Sequence, residues 1–91
     1  MDIKVFANFR EICGGKKVEL NVDGGQEIQA VLDQLIERFP PMEEELFTPD
    51  KQIKPMVHVF INGRNIIHLN GLETKVTDED QIALFPPVAG G

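Results

Sequence analysis

The chain has 91 residues, 42% of them hydrophobic, with one cysteine and a formal net charge of −6. That length suits one small domain, the hydrophobic content argues against disorder, and a lone cysteine makes no internal disulfide. An acidic chain disfavours nucleic acid, which rewards a basic stripe, and mildly favours partners with basic surfaces. No apolar run approaches the roughly 18 residues of a membrane span. The opening MDIKVFANF lacks the basic-then-apolar order of a secretory signal, so the cytoplasm is the simplest compartment.

DIKVFAN alternates, with Ile3, Val5 and Ala7 on one face and Lys4, Phe6 and Asn8 on the other. That period of two predicts a strand. Residues 9–16, with Cys13, Gly14 and Gly15, read as a loop. KVELNV alternates again through Val18, Leu20 and Val22, which predicts an antiparallel hairpin with the first strand. The period then changes. In QEIQAVLDQLIERF the apolar residues Ile28, Val31, Leu32, Leu35, Ile36 and Phe39 fall three and four apart, one stripe of an amphipathic helix. Asp23-Gly24-Gly25 supplies a turn and cap before it, and Pro40-Pro41 stops it. MEEELFTPDKQIKP, within 40–56, reads as a short helical turn and a loop, together a solvated insertion; its Glu43, Glu44 and Glu45 read as a solvated helix face. VHVFING predicts a strand with Val57, Val59 and Ile61 on one face. Asn62-Gly63 is a hairpin turn, and NIIHL its return strand. LNGLETKVTDED is turn-rich, and QIALF is the last strand.

One long apolar helix stripe must cover one face of this sheet. The economical arrangement is α+β, a mixed sheet of about five strands packed on one main helix, with the first and last strands parallel in its middle. That is the β-grasp of ubiquitin. It divides the chain into a β-grasp domain over 1–85 and a tail over 86–91. In this arrangement Ile3, Val5, Val18, Leu20, Val57, Val59, Ile61, Ile82 and Leu84 face the helix. Lys4, Asn8, Lys17, Glu19, Asn21, His58, Asn62 and Gln81 face water. Phe6, Phe60 and Phe85 break the pattern, because they share the outer register of three strands. Each ring buries roughly 150 Å² or more, so a cluster of three reaches the scale of a binding patch. The other reading is a satellite core, in which the 40–56 segment folds over the rings with Leu46 and Phe47.

The chain ends PPVAGG. Pro86-Pro87 cannot donate to a sheet and prefers an extended backbone. Val88, Ala89, Gly90 and Gly91 can then reach about 13 Å from the body, and the two glycines, lacking Cβ atoms, can thread a narrow channel.

The other polar residues read as ordinary surface. Cys13 has no matching His or second Cys for a relay. His58 and His68, ten positions apart, have no metal-ligand spacing. Arg64 belongs to a turn, and neither Gly-Gly pair opens a helix as a dinucleotide loop would. No paired carboxylates or Ser/His/Asp set marks the chain as a catalyst on its own.

The segments VFINGRNI at 59–66 and GLETKVTDEDQIALFPPVAGG at 71–91 resemble the ubiquitin-like sulfur carriers, the MoaD/ThiS family. The family includes the small subunit of molybdopterin synthase and the archaeal small modifier proteins. The likeness runs over nearly the whole chain. Thr77-Asp78-Glu79-Asp80 lacks a glycine often found in this turn, and 40–56 makes the chain longer than the shortest members. The resemblance implies that a ubiquitin-activating-type enzyme adenylates the Gly91 carboxylate. A persulfide donor then displaces AMP and, with a thiol cleaving the S–S bond, leaves a thiocarboxylate, whose sulfur goes most naturally to molybdopterin through a large synthase subunit. Alternatively a substrate-protein lysine attacks, and an isopeptide bond forms at Gly91. Gly91 and Gly90 would carry the chemistry. Phe6, Phe60, Phe85, Pro86, Pro87, Val88 and Ala89 would meet the partner. ATP and magnesium would belong to the activating enzyme, with no cofactor on this chain and no nucleic acid or membrane among its partners.

Overall fold

The computed structural model describes residues 1–22 and 24–87. Among the described residues are seven strands and three α-helices. They are β1 (Asp2–Val5), α1 (Asn8–Cys13), β2 (Lys17–Glu19), β3 (Gln26–Glu27), α2 (Ile28–Arg38), α3 (Met42–Leu46), β4 (His58–Ile61), β5 (Arg64–Asn65), β6 (Lys75–Val76) and β7 (Ile82–Phe85). Five strands form one sheet in the order β2-β1-β7-β4-β5. β7 lies in the middle, parallel to β1 and antiparallel to β4, and β1–β2 is the expected antiparallel hairpin. The expected β-grasp is therefore the fold.

The alternation sorts residues as the sequence predicts. Ile3, Val5, Val18, Leu20, Val57, Val59, Ile61, Ile82 and Leu84 are all buried, and the eight polar positions assigned to the outer side are all exposed. α2 buries Ile28, Val31, Leu32 and Leu35 against them. Burial of this apolar surface is the main favourable contribution to the fold. The helix stops at Arg38, as Pro40 requires. Among the described residues, no helix is long and apolar enough to cross a membrane.

Four local expectations need correction. First, β1 ends at Val5 and residues 8–13 are helical. Ala7 turns the chain at φ 52°, ψ −132°, so it is exposed and does not continue the inner face of β1. Phe9, Ile12 and Cys13 then lie three and four apart and pack inward, with Phe9 fully buried. Gly14 closes the helix in the left-handed region at φ 76°.

Second, the 40–56 segment is no solvated insertion. Met42 and Leu46 are fully buried and Phe47 nearly so, all within the main core. Glu43 and Glu44 are exposed on the opposite side of α3, and Glu45 is half-buried with Oε1 accepting from Asn8 Nδ2 at 2.9 Å.

Third, the turn-rich stretch contains β6, which pairs with β3 as a separate two-stranded sheet. That pairing brings the Thr74 carbonyl within 2.8 Å of the Ile28 N–H. It satisfies a donor at the start of α2, where Glu27 gives no side-chain cap. Gly24 and Gly25 form the preceding turn, whereas Asp23 lies outside the described residues.

Fourth, the return strand after Asn62-Gly63 is only Arg64–Asn65. Asn65 Oδ1 accepts from Ile67 N at 3.1 Å and starts a 3-10 turn over Ile66–His68, which buries Ile66 and exposes Ile67.

Candidate functional site: an aromatic patch at the end of β7

The outer face of the sheet brings the three outward phenylalanines together. Phe6 and Phe85 stack at 4.3 Å between centroids and 11° between planes. Phe60 meets Phe85 edge-on at 5.3 Å and 84°. Both geometries are favourable for aromatic quadrupoles and are worth about 0.5–1.5 kcal/mol per pair beyond area burial. Register explains the meeting. Val5 pairs with Leu84, so Phe6 follows β1 as Phe85 follows Leu84 in parallel β7. Phe85 pairs with His58 and Ala83 with Phe60 across β4. The small Ala83 lines the same hollow as the three rings.

All three rings are only half-buried. Leu46 and Phe47 belong to the helix-side core, so they do not form a satellite core over the patch. The rings border a shallow concavity of about 400 Å³ with Lys4, Gly63 and Gln81.

The kink that ends β1 holds Phe6 in place. The Phe6 and Ala7 carbonyls accept from the N–H groups of Phe9 and Arg10 at 3.1 and 3.0 Å. Arg10 was not singled out by the sequence, and it proves to be part of the patch. Its Nε donates to the Val5 carbonyl at 2.9 Å and its guanidinium lies 5.1 Å over the Phe6 ring. With residues 9–16 read as a loop, no spacing could have brought it there.

The opposite end of β7 is fixed by the hairpin. Asn62 and Gly63 have φ of 52° and 82°, the left-handed pair a two-residue turn requires. Asn62 N–H donates to the Gln81 carbonyl at 2.8 Å, and its side chain accepts from Gln81 N–H at 2.9 Å. The same side chain donates to Asp80 Oδ1 at 2.9 Å, while Asp80 Oδ2 accepts from Thr77 N–H at 2.8 Å. The bond from Asn62, then that from Thr77, hold the Asp80 carboxyl below its ordinary range.

Beyond Phe85, Pro86 is buried and Pro87 exposed, so only the second proline of the pair stands open to a partner. Val88, Ala89, Gly90 and Gly91 lie outside the described residues. Cys13, expected as a loop thiol, is buried at the end of α1, and desolvation pushes its thiol up. That disfavours the thiolate a sulfur relay needs. His58, Arg64 and His68 are exposed, and His58 Nδ1 lies 3.1 Å from Asn65 Nδ2.

Relatives match the chain over most of their own length. Small archaeal modifier protein 3 of Haloferax volcanii is 37% identical over 91 residues, covering 100% of this chain and 98% of its own. The crystal structure of small archaeal modifier protein 1 from the same organism superposes with a TM-score of 0.87 at 32% identity, covering 99% of this chain and 97% of that one. The molybdopterin synthase sulfur carrier subunit of Arabidopsis thaliana is 29% identical, over 100% of this chain and 84% of its own. The ThiS family model matches residues 3–91. With the β-grasp and this match in hand, the chain belongs to the ThiS family of ubiquitin-like sulfur carriers and modifiers.

Proposed function

We propose that this chain is a sulfur carrier whose Gly91 carboxylate is adenylated, converted to a thiocarboxylate, and used to donate sulfur in molybdopterin biosynthesis. The observation that carries the reading is the aromatic patch ending at Phe85, six residues before the reactive terminus. A partner that grips Phe6, Phe60 and Phe85 holds the chain close to where the tail begins. A carboxylate is a poor electrophile, and AMP makes a good leaving group. The ubiquitin-activating-type enzyme uses ATP and magnesium to form the acyl-adenylate. The outer sulfur of a persulfide donor displaces AMP to give an acyl disulfide, and a second thiol cleaves that S–S bond to release the thiocarboxylate. A large synthase subunit receives the tail. This chain supplies the grip, the reach and a terminus without side chains. Its similarity to the molybdopterin synthase carrier subunit supports the choice of acceptor.

A second reading has its own support. The two small archaeal modifier proteins are more similar to the chain than the synthase subunit is. In that reading a lysine amine on a substrate protein attacks the activated Gly91 carbonyl, AMP leaves, and an isopeptide bond forms. Both readings share the adenylate and part only at the nucleophile.

The intact mass of the protein purified from its own cells tests them. Replacement of one terminal oxygen by sulfur is expected for the carrier. Larger conjugates bearing a Gly-Gly remnant on lysine are expected for the modifier. Gly90→Val tests the shared step. A β-branched side chain beside the reacting carboxylate narrows the backbone and adds bulk. Small misplacements of reacting groups cost about a hundredfold. Adenylation by pyrophosphate exchange should collapse while the melting curve stays within about 0.5 kcal/mol of wild type. Wild-type exchange by Gly90→Val would remove the basis of both readings.

A further inference from the structure

The chain's net charge of −6 predicts basic partners, yet the acids and bases are not evenly spread. Asp33 and Glu37 stand on α2, Glu43, Glu44 and Glu45 on α3, and Asp78, Glu79 and Asp80 in the turn before β7. On the outward side of the five-stranded sheet the strand acids are Asp2 and Glu19, paired with each other at the end away from Phe6. Asp2 lies 3.4 Å from Lys17.

The aromatic rings have a different surround. In one row across the sheet, Lys17 pairs with Lys4, Lys4 with Ala83, and Ala83 with Phe60. Lys4 borders the same concavity as the three rings. Arg10 lies over Phe6 on this flank. On the other flank, His58, Arg64 and His68 share a second concavity of about 510 Å³ with Phe60. Phe60 and Gly63 border both hollows, so Lys4 and Arg64 edge one continuous surface. Among the described residues, Lys4, Arg10 and Arg64 form no salt bridge within the chain.

We infer that the patch docks a partner protein whose contact face is an apolar cleft edged by carboxylates, against the partner charge that the net charge implies. This rests on the reading that the rings grip the adenylating enzyme, and it adds the chemistry of that enzyme's docking face. The rings supply the desolvated centre, where binding energy concentrates. The cations form a rim, where charge mainly speeds encounter and rejects wrong partners. At ordinary salt the Debye length is about 8–10 Å. The near rim therefore governs approach more than the acids on α2 and α3.

The test measures association rates with the ubiquitin-activating-type enzyme encoded in the same genome, at low (about 50 mM) and high (about 500 mM) salt. The variants are Lys4→Glu/Arg64→Glu, the control Lys75→Glu on the two-stranded sheet, and the uncharged Phe60→Ala, each with a melting curve. The double reversal should slow association about tenfold at low salt and much less at high salt. Lys75→Glu should match wild type. Phe60→Ala should speed dissociation with little change in salt dependence. A double reversal that associates as fast as wild type, or faster, overturns the acidic-rimmed partner, and loss on Phe60→Ala alone would leave the aromatic grip standing. Unchanged binding by Phe60→Ala, or no binding by wild type, overturns the grip and this inference with it.

Discussion

The two faces of one sheet carry opposite solutions to the same chemistry. Leu84 and Phe85 are neighbours in β7, yet Leu84 is fully buried while Phe85 is only half-buried beside two other rings. The inner face is closed by α1, α2 and α3, so its apolar residues pack with the core. The outer face holds three large rings that pack on one another, with Arg10 over Phe6, and stay half-buried. On the proposed function, the difference separates stability from recognition in this small domain. Changes inside should be felt in folding, and changes outside in partner binding.

The sharpest way to break that division is a pair of substitutions in one strand. Leu84→Ala should cost about 2–5 kcal/mol, the range for a fully buried leucine. Phe85→Ala should cost less than about 2 kcal/mol, as its ring is half solvated. The order should reverse for binding to the adenylating enzyme, with Phe85→Ala losing most. Chemical denaturation beside a binding titration checks this, and equal stability losses would mean the outer rings are structural.

A smaller effect is expected where the faces join. Ala7 holds positive φ between Phe6 on the outer face and Phe9 on the inner. Residues other than glycine adopt this region at a cost of order 1 kcal/mol. Ala7→Gly should therefore leave stability unchanged or raise it by up to about 1 kcal/mol. If the denaturation midpoint instead falls sharply, Ala7 holds its conformation without strain.

The smallest effect concerns Asp80, whose hydrogen bond from Asn62 ties the turn before β7 to the hairpin and lowers its pKa. A lowered native pKa stabilises the fold at pH above the unfolded value of 3.8. That contribution is lost as pH falls through the native value. Asp80→Asn should melt slightly below wild type at about pH 7, and the gap should close as pH falls through the lowered native value. A gap independent of pH would show that shape, not charge, matters at this turn.

The sequence was most readable where its period was long and clean. Fourteen residues of helical spacing located α2 within two residues at its start and one at its end, and alternation gave the inner faces of β1, β2, β4 and β7. Outward phenylalanines in three strands were enough to expect a patch, because parity alone puts them on one face. What was hidden lay in short elements. α1 has six residues and its Phe9, Ile12, Cys13 spacing was masked by the glycines that cap it. β3 and β6 have two residues each and exist through each other, which no local window reports. The run Glu43, Glu44, Glu45 drew attention from Met42, Leu46 and Phe47, although those three lie four and five apart and face the core. Arg10 became visible only once the kink at Ala7 had turned α1 back beside Phe6.

The central position of β7 also bears on traction. Anything that pulls on residues past Phe85 pulls on the strand to which they are joined. β7 is paired along its length with parallel β1 on one side and antiparallel β4 on the other, through three and four register pairs. A pull along the strand must slide it against both neighbours together, straining those hydrogen bonds in shear. Peeling β5 from β4 at the sheet edge would instead break its two pairs in turn. A terminus handed between proteins, as proposed, would thus be joined to the strand held on both sides, and tugging there would meet the most concerted resistance in the sheet.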